Sequence, residues 1–211
     1  IACADSKKKG VPNSICCDFR ALNKKTVPDK HPLPRIQTTL ENLGGNKWFT
    51  VLDQHRAYYQ GYIQSDSRDK TAFVTPWGLY QWVRIPFGLM NAPASFQRFM
   101  ESTVREFRDD YAMPYLDDVI VFSKSLPDHI EHIRSVLRRF QEKGLKLRIG
   151  KCKFFQKRVK YLGRIVSEEG YKMDDESVEA VRALKDIKPS TIKVGVGYTG
   201  QSPKILSFIF F

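Results

Sequence analysis

A short acidic turn between two apolar runs limits the folds open to this chain more than any other stretch. Tyr115-Leu-Asp-Asp118 follows Ala112-Met-Pro114 and precedes the β-rich run Val119-Ile-Val-Phe122. Two apolar runs joined by so tight a turn predict a β-hairpin with two adjacent carboxylates at its tip. Carboxylates crowded together repel unless a cation lies between them, and Mg²⁺ prefers oxygen ligands. Taken alone, the tetrapeptide fits an ordinary solvent-exposed turn at least as well.

The charge balance points to a polyanionic partner. Among 211 residues, 35 Lys and Arg face 23 Asp and Glu, which gives a formal net charge of +12. Nucleic acid is the usual partner of such a surface, and generic basicity is the alternative. The four cysteines include no C-x-x-C pair, so neither a zinc knuckle nor a disulfide framework is indicated.

The sequence carries no targeting signal. Its first residues lack the charged and apolar regions of a signal peptide, and the apolar run at 205–211 is too short to cross a membrane. We therefore expect an intracellular protein without a membrane partner, located in the cytoplasm, in a particle or in the nucleus.

Apolar spacing predicts the elements around the hairpin. The run Trp48–Leu52 predicts a buried strand that ends at Asp53, and residues 71–85 alternate like a second hairpin. A helix capped by Asn91 has Phe and Met at helical spacing. A second helix, starting near Pro127, is predicted to bury its apolar residues and expose its two histidines: Ile130, Ile133, Leu137 and Phe140 inside, His129 and His132 outside. A third helix follows Asp174 or Asp175.

Five motifs in order resemble the reverse transcriptases: Asp18-Phe-Arg-Ala-Leu-Asn-Lys24, Phe49-Thr-Val-Leu-Asp53, Pro86–Gln97, Tyr115–Asp118 and Tyr161-Leu-Gly163. The chain is most similar to the polymerase of gypsy-type LTR retrotransposons, over roughly residues 15–189. The resemblance implies an α+β right-hand polymerase fold. This has a palm with an antiparallel sheet backed by helices, partial fingers and the start of a thumb.

The same resemblance implies domain boundaries. Partial fingers occupy 1–28, the first part of the palm 29–60, and the second part of the fingers 61–91. The rest of the palm, with the acidic hairpin and the primer grip, occupies 92–170. The start of the thumb occupies 171–190, and 191–211 form a divergent tail.

Asp53, Asp117 and Asp118 match the family's three catalytic, metal-binding carboxylates. By resemblance they bind two Mg²⁺ ions, for which Mn²⁺ is a substitute, and these ions activate the primer 3′-hydroxyl and stabilise the leaving pyrophosphate. At the incoming nucleotide, the matched positions are the backbone N–H groups of Arg56 and Ala57 near the triphosphate, Tyr58 as the steric gate against a ribose 2′-hydroxyl, and Phe87 and Gly88 beside the nucleotide. Lys151 matches a proton donor to pyrophosphate, and Lys7, Lys8 and Lys9 match phosphate contacts. Tyr161, Leu162 and Gly163 match the primer grip.

The chain departs from the family pattern at Ser14, where an Arg usually grips the triphosphate. The similarity also ends near Lys193. The RNase H and integrase regions expected in the larger polyprotein of an intact element do not follow, so we expect a truncated copy.

Two functions remain open. The first is RNA-directed DNA polymerisation on a primed RNA or DNA template with dNTPs. The alternative is a catalytically inactive relic that at most binds nucleic acid. An unrelated basic RNA-binding module is disfavoured by the three acidic residues.

Overall fold

The computed structural model describes residues 3–6, 14–174 and 179, with side chains from Cys17 onward. The first of two compact units, Ile1–Asp174, holds nearly all of these residues. The predicted third helix, the predicted start of the thumb beyond Asp174, the tail at 191–211 and the three lysines Lys7, Lys8 and Lys9 lie outside the described residues.

The strands are β1 (Cys3–Ser6), β2 (Ser14–Cys17), β3 (Trp48–Asp53), β4 (Phe73–Thr75), β5 (Gly78–Tyr80), β6 (Ala112–Tyr115), β7 (Asp118–Ser123), β8 (Lys153–Gln156), β9 (Val159–Tyr161), β10 (Arg164–Ser167) and β11 (Gly170–Met173). The helices are α1 (Arg20–Lys25), α2 (Ile36–Glu41), α3 (Ala57–Gln60), α4 (Ala92–Thr103) and α5 (Leu126–Glu142). Short 3₁₀ turns occupy Ser65–Ser67, Asp69–Thr71 and Ile149–Lys151.

The central sheet has four antiparallel strands in the order β6-β7-β3-β8. A three-stranded antiparallel sheet has the order β11-β10-β9, and β1–β2 and β4–β5 are two-stranded. The predicted hairpins at β6–β7 and β4–β5 are both confirmed. Helices combined with antiparallel sheets confirm the expected α+β class.

Both faces of the central sheet are covered, which explains why β3 and β7 are apolar almost throughout. Alternate side chains of a strand point to opposite faces. On one face, Leu52, Val119 and Val121 pack in a core with apolar residues of α4 and α5. On the other face, Phe49 and Ile120 pack in a second core with residues of β9 and β10 and with residues in and just after α2. Full burial of one such side chain stabilises the fold by about 1.5–3 kcal/mol.

The start of α4 differs from the prediction. Asn91 occupies the N-cap position, but its side chain makes no capping hydrogen bond. Instead its Oδ1 accepts the N–H of Asp29 at 3.0 Å, and its Nδ2 donates to the carbonyl of Val27 at 2.9 Å. The amide therefore fastens the preceding loop to the helix.

Helix α5 buries a different stripe from the predicted one. Ser125 caps it by accepting the N–H of Asp128 at 3.3 Å. His129 is fully buried, whereas Ile130 is 39% exposed, so the predictions that His129 is exposed and that Ile130 is buried are wrong. The physical reason is that both ring nitrogens find hydroxyl partners, Thr50 at 2.9 Å and Ser123 at 2.8 Å.

Among the helices that the structure describes, none combines the length and the apolar character that crossing a membrane requires.

Candidate active site

The sheet brings the three predicted carboxylates to one end of its central strands. In the β3–β7 register Asp53 lies directly opposite Asp118, and in the β6–β7 register Tyr115 lies opposite Asp118. Leu116 and Asp117 form the turn between β6 and β7. The carbonyl of Asp117 accepts the N–H of Gln54 at 3.2 Å, which ties this turn to the end of β3.

Gln97 of α4 stabilises the turn between β6 and β7 through hydrogen bonds to its backbone. Leu116 has a φ of +50°, a left-handed conformation that costs an L-residue about 1–2 kcal/mol. Its N–H donates to Gln97 Oε1 at 2.7 Å, and Gln97 Nε2 donates to the carbonyl of Pro114 at 3.2 Å. Gln97 is fully buried. Its role was not predicted from the sequence, although a polar residue beside Phe96 on a buried helix face is a signal that could have indicated it.

Repulsion and burial govern the charges of the acidic group. Burial, followed by the neighbouring Asp53 and Asp117, raises the pKa of Asp118 to about 6, against a smaller lowering by Lys151. Burial and then Asp53 also raise the pKa of Asp117. Asp117 Oδ1 is buried without a hydrogen-bond partner. A buried oxygen without a donor, next to two further carboxylates, is what a divalent cation would relieve.

The donor set therefore fits a cation, although the side chains would have to move. Within residues 17–174, no three acidic, histidine or cysteine side chains stand close enough together to hold an ion as they are. Mutual repulsion separates carboxylates when no cation lies between them. Mg²⁺ keeps several water ligands and needs only one or two carboxylates from a protein. Rotation of the aspartate side chains is the change that binding would require.

Backbone contacts fix the end of β3 from its other side. The N–H of Arg148 donates to the carbonyl of Asp53 at 2.9 Å. The N–H of Asp53 donates to Cys152 Sγ at 3.4 Å, and burial raises the pKa of this thiol. Lys151 lies between Arg148 and Cys152 in the sequence. It is exposed at the end of a 3₁₀ turn and near enough to lower the pKa of Asp118.

Aromatic rings form one wall beside the carboxylates. The ring of Tyr58 meets Phe87 edge-on at 5.1 Å and Phe96 at 5.7 Å between centroids. Phe87 is half-exposed. Burial and then the charge of Asp117 raise the pKa of Tyr58, so its phenol keeps its proton at neutral pH. Arg56, which precedes α3, has a φ of +49°.

Asn23 positions the loop that contains Phe87 and Gly88. Its Nδ2 donates to the carbonyl of Gly88 at 2.8 Å, and its Oδ1 accepts the N–H of Met90 at 2.9 Å. Gly88 has a φ of +94°, which a side chain would strain. The sequence analysis placed Asn23 in a motif but missed this contact, because its partner lies far along the chain.

The predicted primer grip is a tight hairpin. Tyr161 lies opposite Arg164, and the two turn residues Leu162 and Gly163 have φ of +48° and +72°. Positive φ at both central positions is typical of a type I′ turn. Tyr161 packs in the same core as Ile120, its hydroxyl has no hydrogen-bond partner, and burial raises its pKa.

The predicted phosphate contacts of the fingers and the departure from the family at Ser14 fall near the start of the chain. Lys7, Lys8 and Lys9 are outside the described residues. The backbone of Ser14 lies in β2 opposite Ser6, and the described side chains begin only after it.

Sequence comparisons agree on one family. Residues 6–166 match the family model of the reverse transcriptases (RNA-dependent DNA polymerases). The chain is 42% identical over 174 residues to the retrovirus-related Pol polyprotein from transposon gypsy of Drosophila melanogaster, covering 82% of this chain and 17% of that protein. It is 32% identical over 182 residues to the transposon Tf2-3 polyprotein of Schizosaccharomyces pombe, covering 86% of this chain and 14% of that protein. The chain thus spans less than a fifth of either relative.

Solved structures agree on the fold. The foamy viral protease-reverse transcriptase in complex with double-stranded DNA matches with a TM-score of 0.76 at 21% identity, over 87% of this chain and 32% of that chain. The complex of the same kind of protein with an RNA/DNA hybrid matches with a TM-score of 0.73 at 22% identity, over 82% of this chain and 24% of that chain. The expected right-hand polymerase fold is confirmed, and the chain belongs to the reverse transcriptase (RNA-dependent DNA polymerase) family.

Proposed function

We propose that this domain copies a primed RNA or DNA template by transferring nucleotides from dNTPs to the primer 3′-hydroxyl. The observation that carries the proposal is the register of β3 and β7, which sets Asp53 opposite Asp118 with Asp117 in the adjoining turn. An unrelated module that only binds nucleic acid would have neutral or basic residues at this edge.

Asp53, Asp117 and Asp118 would hold two Mg²⁺ ions, or Mn²⁺ as a substitute. When bound, such a pair supplies charge neutralisation at the attacking and leaving oxygens of an in-line displacement. The protein supplies the positions: the β3–β7 pairing holds two carboxylates, and the Gln97 contact to Leu116 holds the third. Positioning and electrostatic stabilisation account for most of the catalysis of phosphoryl transfer.

The aromatic wall would bind the incoming nucleotide. Tyr58, whose ring packs between Phe87 and Phe96, would exclude a ribose 2′-hydroxyl by bulk. Phe87 and Gly88 would lie against the nucleotide, and the backbone N–H groups of Arg56 and Ala57 would approach its triphosphate. Lys151, exposed beside the carboxylates, would give a proton to the leaving pyrophosphate.

Template and primer would be bound mainly through their phosphates. From Lys143 to Arg164 the chain has nine Lys and Arg and no Asp or Glu. Two of these cations are engaged within the protein: Lys157 lies over the ring of Trp48, and Lys160 pairs with Asp174. Phosphate binding of this kind weakens steeply with salt and is largely independent of sequence. The hairpin Tyr161-Leu-Gly163 would contact the primer.

We further propose that the domain works inside the cell, in the cytoplasm or in a particle or nucleus, as one part of a polyprotein that also carries RNase H and integrase regions. The relatives whose names describe Pol polyproteins support this setting.

Primer extension on an RNA template with Mg²⁺ tests the proposal. The chain is compared with Asp117→Asn and with a matched control, Asp66→Asn, which removes an exposed carboxylate from a 3₁₀ turn elsewhere. We expect extension by the unmodified chain and the control, and a loss of about a thousandfold or more for Asp117→Asn. Equal extension by Asp117→Asn would contradict the metal role.

A failure of the unmodified chain to extend the primer would be followed by Ser14→Arg. Recovery of extension would locate the defect in the triphosphate contact rather than in the carboxylates. Salt-dependent binding of primer–template without extension by either protein would favour the inactive relic.

A further inference from the structure

A buried carboxylate on α4 connects the catalytic turn to a cation on the protein surface. Glu101, one helical turn beyond Gln97, has a side chain that is 14% exposed. Its Oε1 accepts a hydrogen bond from Gln97 Nε2 at 2.9 Å. Its Oε2 lies 3.1 Å from an Nη of Arg108 and 3.3 Å from Nε2 of His31. Arg108 is the nearer of the two partners of Oε2.

The surroundings of Gln97 determine how its amide is oriented. Its oxygen faces the N–H of Leu116, while its nitrogen faces two acceptors, Glu101 Oε1 and the carbonyl of Pro114. A flipped amide would face donor with donor and acceptor with acceptor. The ionised carboxylate is the stronger of the two acceptors, because hydrogen bonds to charged groups are roughly twice as strong as neutral ones.

The charge on Glu101 also strengthens the contact at the turn. A donor bound to a carboxylate polarises the amide, so Gln97 Oε1 becomes a better acceptor for Leu116 by about 10–30% per bond. Arg108 holds Glu101 in place through a contact of 3.1 Å, since a carboxylate at this depth without a cation would be costly.

We propose that Glu101, held by Arg108, is a positioning residue for the acidic turn: through Gln97 it fixes the backbone of Leu116 and thereby the placement of Asp117. It touches neither substrate nor ion. This inference rests on the proposed function only for its catalytic consequence, because the hold on Leu116 is a property of the protein alone.

Amide hydrogen exchange at Leu116 in the 211-residue chain is the direct test. We expect Glu101→Ala to speed this exchange about tenfold, which corresponds to about 1.4 kcal/mol. Arg108→Gln should act in the same direction by about threefold, since Glu101 then loses its cationic partner at 3.1 Å but keeps its contacts with Gln97 and His31. The matched control is Arg98→Gln, a substitution on the same helix α4. It breaks the 2.7 Å ion pair between Arg98 and Asp29 but leaves the contacts of Gln97 in place. We expect it to change the exchange at Leu116 by less than about twofold.

Glu101→Gln separates charge from hydrogen bonding. Its amide can accept from Gln97 or from Arg108 but cannot accept from both, so the exchange at Leu116 should lie between those of the unmodified chain and Glu101→Ala. If Glu101→Ala does not fold, as judged by circular dichroism, Glu101→Gln and Arg108→Gln decide. Exchange at Leu116 unchanged in the folded variants overturns the proposal.

A second readout links the turn to the cation. Mn²⁺ binding followed by electron paramagnetic resonance should weaken about fivefold in Glu101→Ala and stay within about twofold in Arg98→Gln. Faster exchange at Leu116 with no Mn²⁺ binding by the unmodified chain would refute the proposed catalytic function while upholding the hold on the turn. Unchanged exchange at Leu116 in the variants, with normal Mn²⁺ binding by the unmodified chain, would refute the hold on the turn while leaving the proposed catalytic function in place.

Discussion

The two ends of the strand pair β3–β7 treat polar groups in opposite ways. At one end Asp53 faces Asp118, Asp117 Oδ1 has no hydrogen-bond partner, and burial and repulsion raise the pKa of Asp118 to about 6. At the other end the ring of His129 is bonded on both nitrogens, at 2.9 Å to the hydroxyl of Thr50 and at 2.8 Å to that of Ser123. A buried carboxylate oxygen at the first end therefore has no hydrogen-bond partner, whereas the imidazole at the second end has one for each nitrogen.

Each end also holds one non-glycine residue in the left-handed conformation. Leu116 has a φ of +50° and donates its N–H to Gln97, and Phe155 has a φ of +53° and donates its N–H to the hydroxyl of Thr50 at 3.2 Å. Strained residues persist where the surroundings over-determine them. The difference between the ends therefore lies in hydrogen bonding and not in rigidity: the imidazole at one end is paired on both nitrogens, and a carboxylate oxygen at the other end has no hydrogen-bond partner.

The largest expected effect comes from Asp118→Asn. We expect primer extension to fall by about a thousandfold or more, because a proposed metal ligand is lost. The free energy of unfolding at pH 7 should rise by about 1–2 kcal/mol, because the burial cost and the repulsion that raise the pKa of Asp118 disappear with its charge. Extension assays and urea unfolding measure the two quantities. A loss of both activity and stability would break the contrast between the ends.

Thr50→Val should affect stability far more than the chemistry. It keeps the shape of the side chain but removes the hydroxyl partner of His129 Nε2 and of the Phe155 N–H, both of which are buried or half-buried. Leaving such groups unpaired costs about 1–3 kcal/mol, so urea unfolding should show a loss of about 2 kcal/mol. Val51→Ala, which removes methyl groups from the neighbouring position, is the control for packing alone.

The pH dependence of unfolding distinguishes the ends by sign. Burial, followed by His132, lowers the pKa of His129 to about 4 from 6.5. As pH falls from 6.5 towards 4, the unfolded chain takes up this proton before the folded one, so the contribution of His129 to stability falls by about 1.4 kcal/mol per pH unit. Asp118 acts oppositely below pH 6, because its raised pKa lets the folded state bind the proton first.

Both the unmodified chain and His129→Gln contain Asp118, so its contribution cancels when the unfolding free energies of the two proteins are subtracted. We expect this difference to decrease by about 2–3 kcal/mol between pH 6.5 and pH 4. A constant difference across that range would mean that folding does not lower the pKa of His129.

The smallest effects are expected from Leu116→Gly and Phe155→Gly. Glycine removes the left-handed strain of about 1 kcal/mol, but it adds backbone entropy to the unfolded chain and loses side-chain packing. Net changes in unfolding free energy should stay within about 1 kcal/mol at both ends. A gain of about 2 kcal/mol at one position only would identify that end as the more strained.

The sequence predicted the parts of this arrangement that depend on local pattern. The apolar runs on both sides of Tyr115–Asp118 predicted the hairpin, and the motif order predicted which distant aspartate would join it. The start of α5 near Pro127 was also predicted, since a proline in the first turn is a local signal, whereas the Ser125 cap was not predicted.

Contacts between distant residues could not be read in the same way. The pattern placed Ile130 inside and His129 outside, because periodicity counts apolar residues and cannot know that Thr50 and Ser123 offer hydroxyls to an imidazole. The roles of Asn23 and Gln97 were missed for the same reason, because each side chain binds a backbone turn that comes close only in the folded chain.

The strand order β6-β7-β3-β8 also has a consequence for synthesis on the ribosome. Both neighbours of β3 follow it in the chain, so this strand emerges with neither edge paired and waits until Ser123 has been made. An apolar strand with free edges is prone to join other chains. A polypeptide that ends before β7 would carry Asp53 on an unpaired β3 without Asp117 and Asp118, so the three carboxylates come together only once β7 has been made.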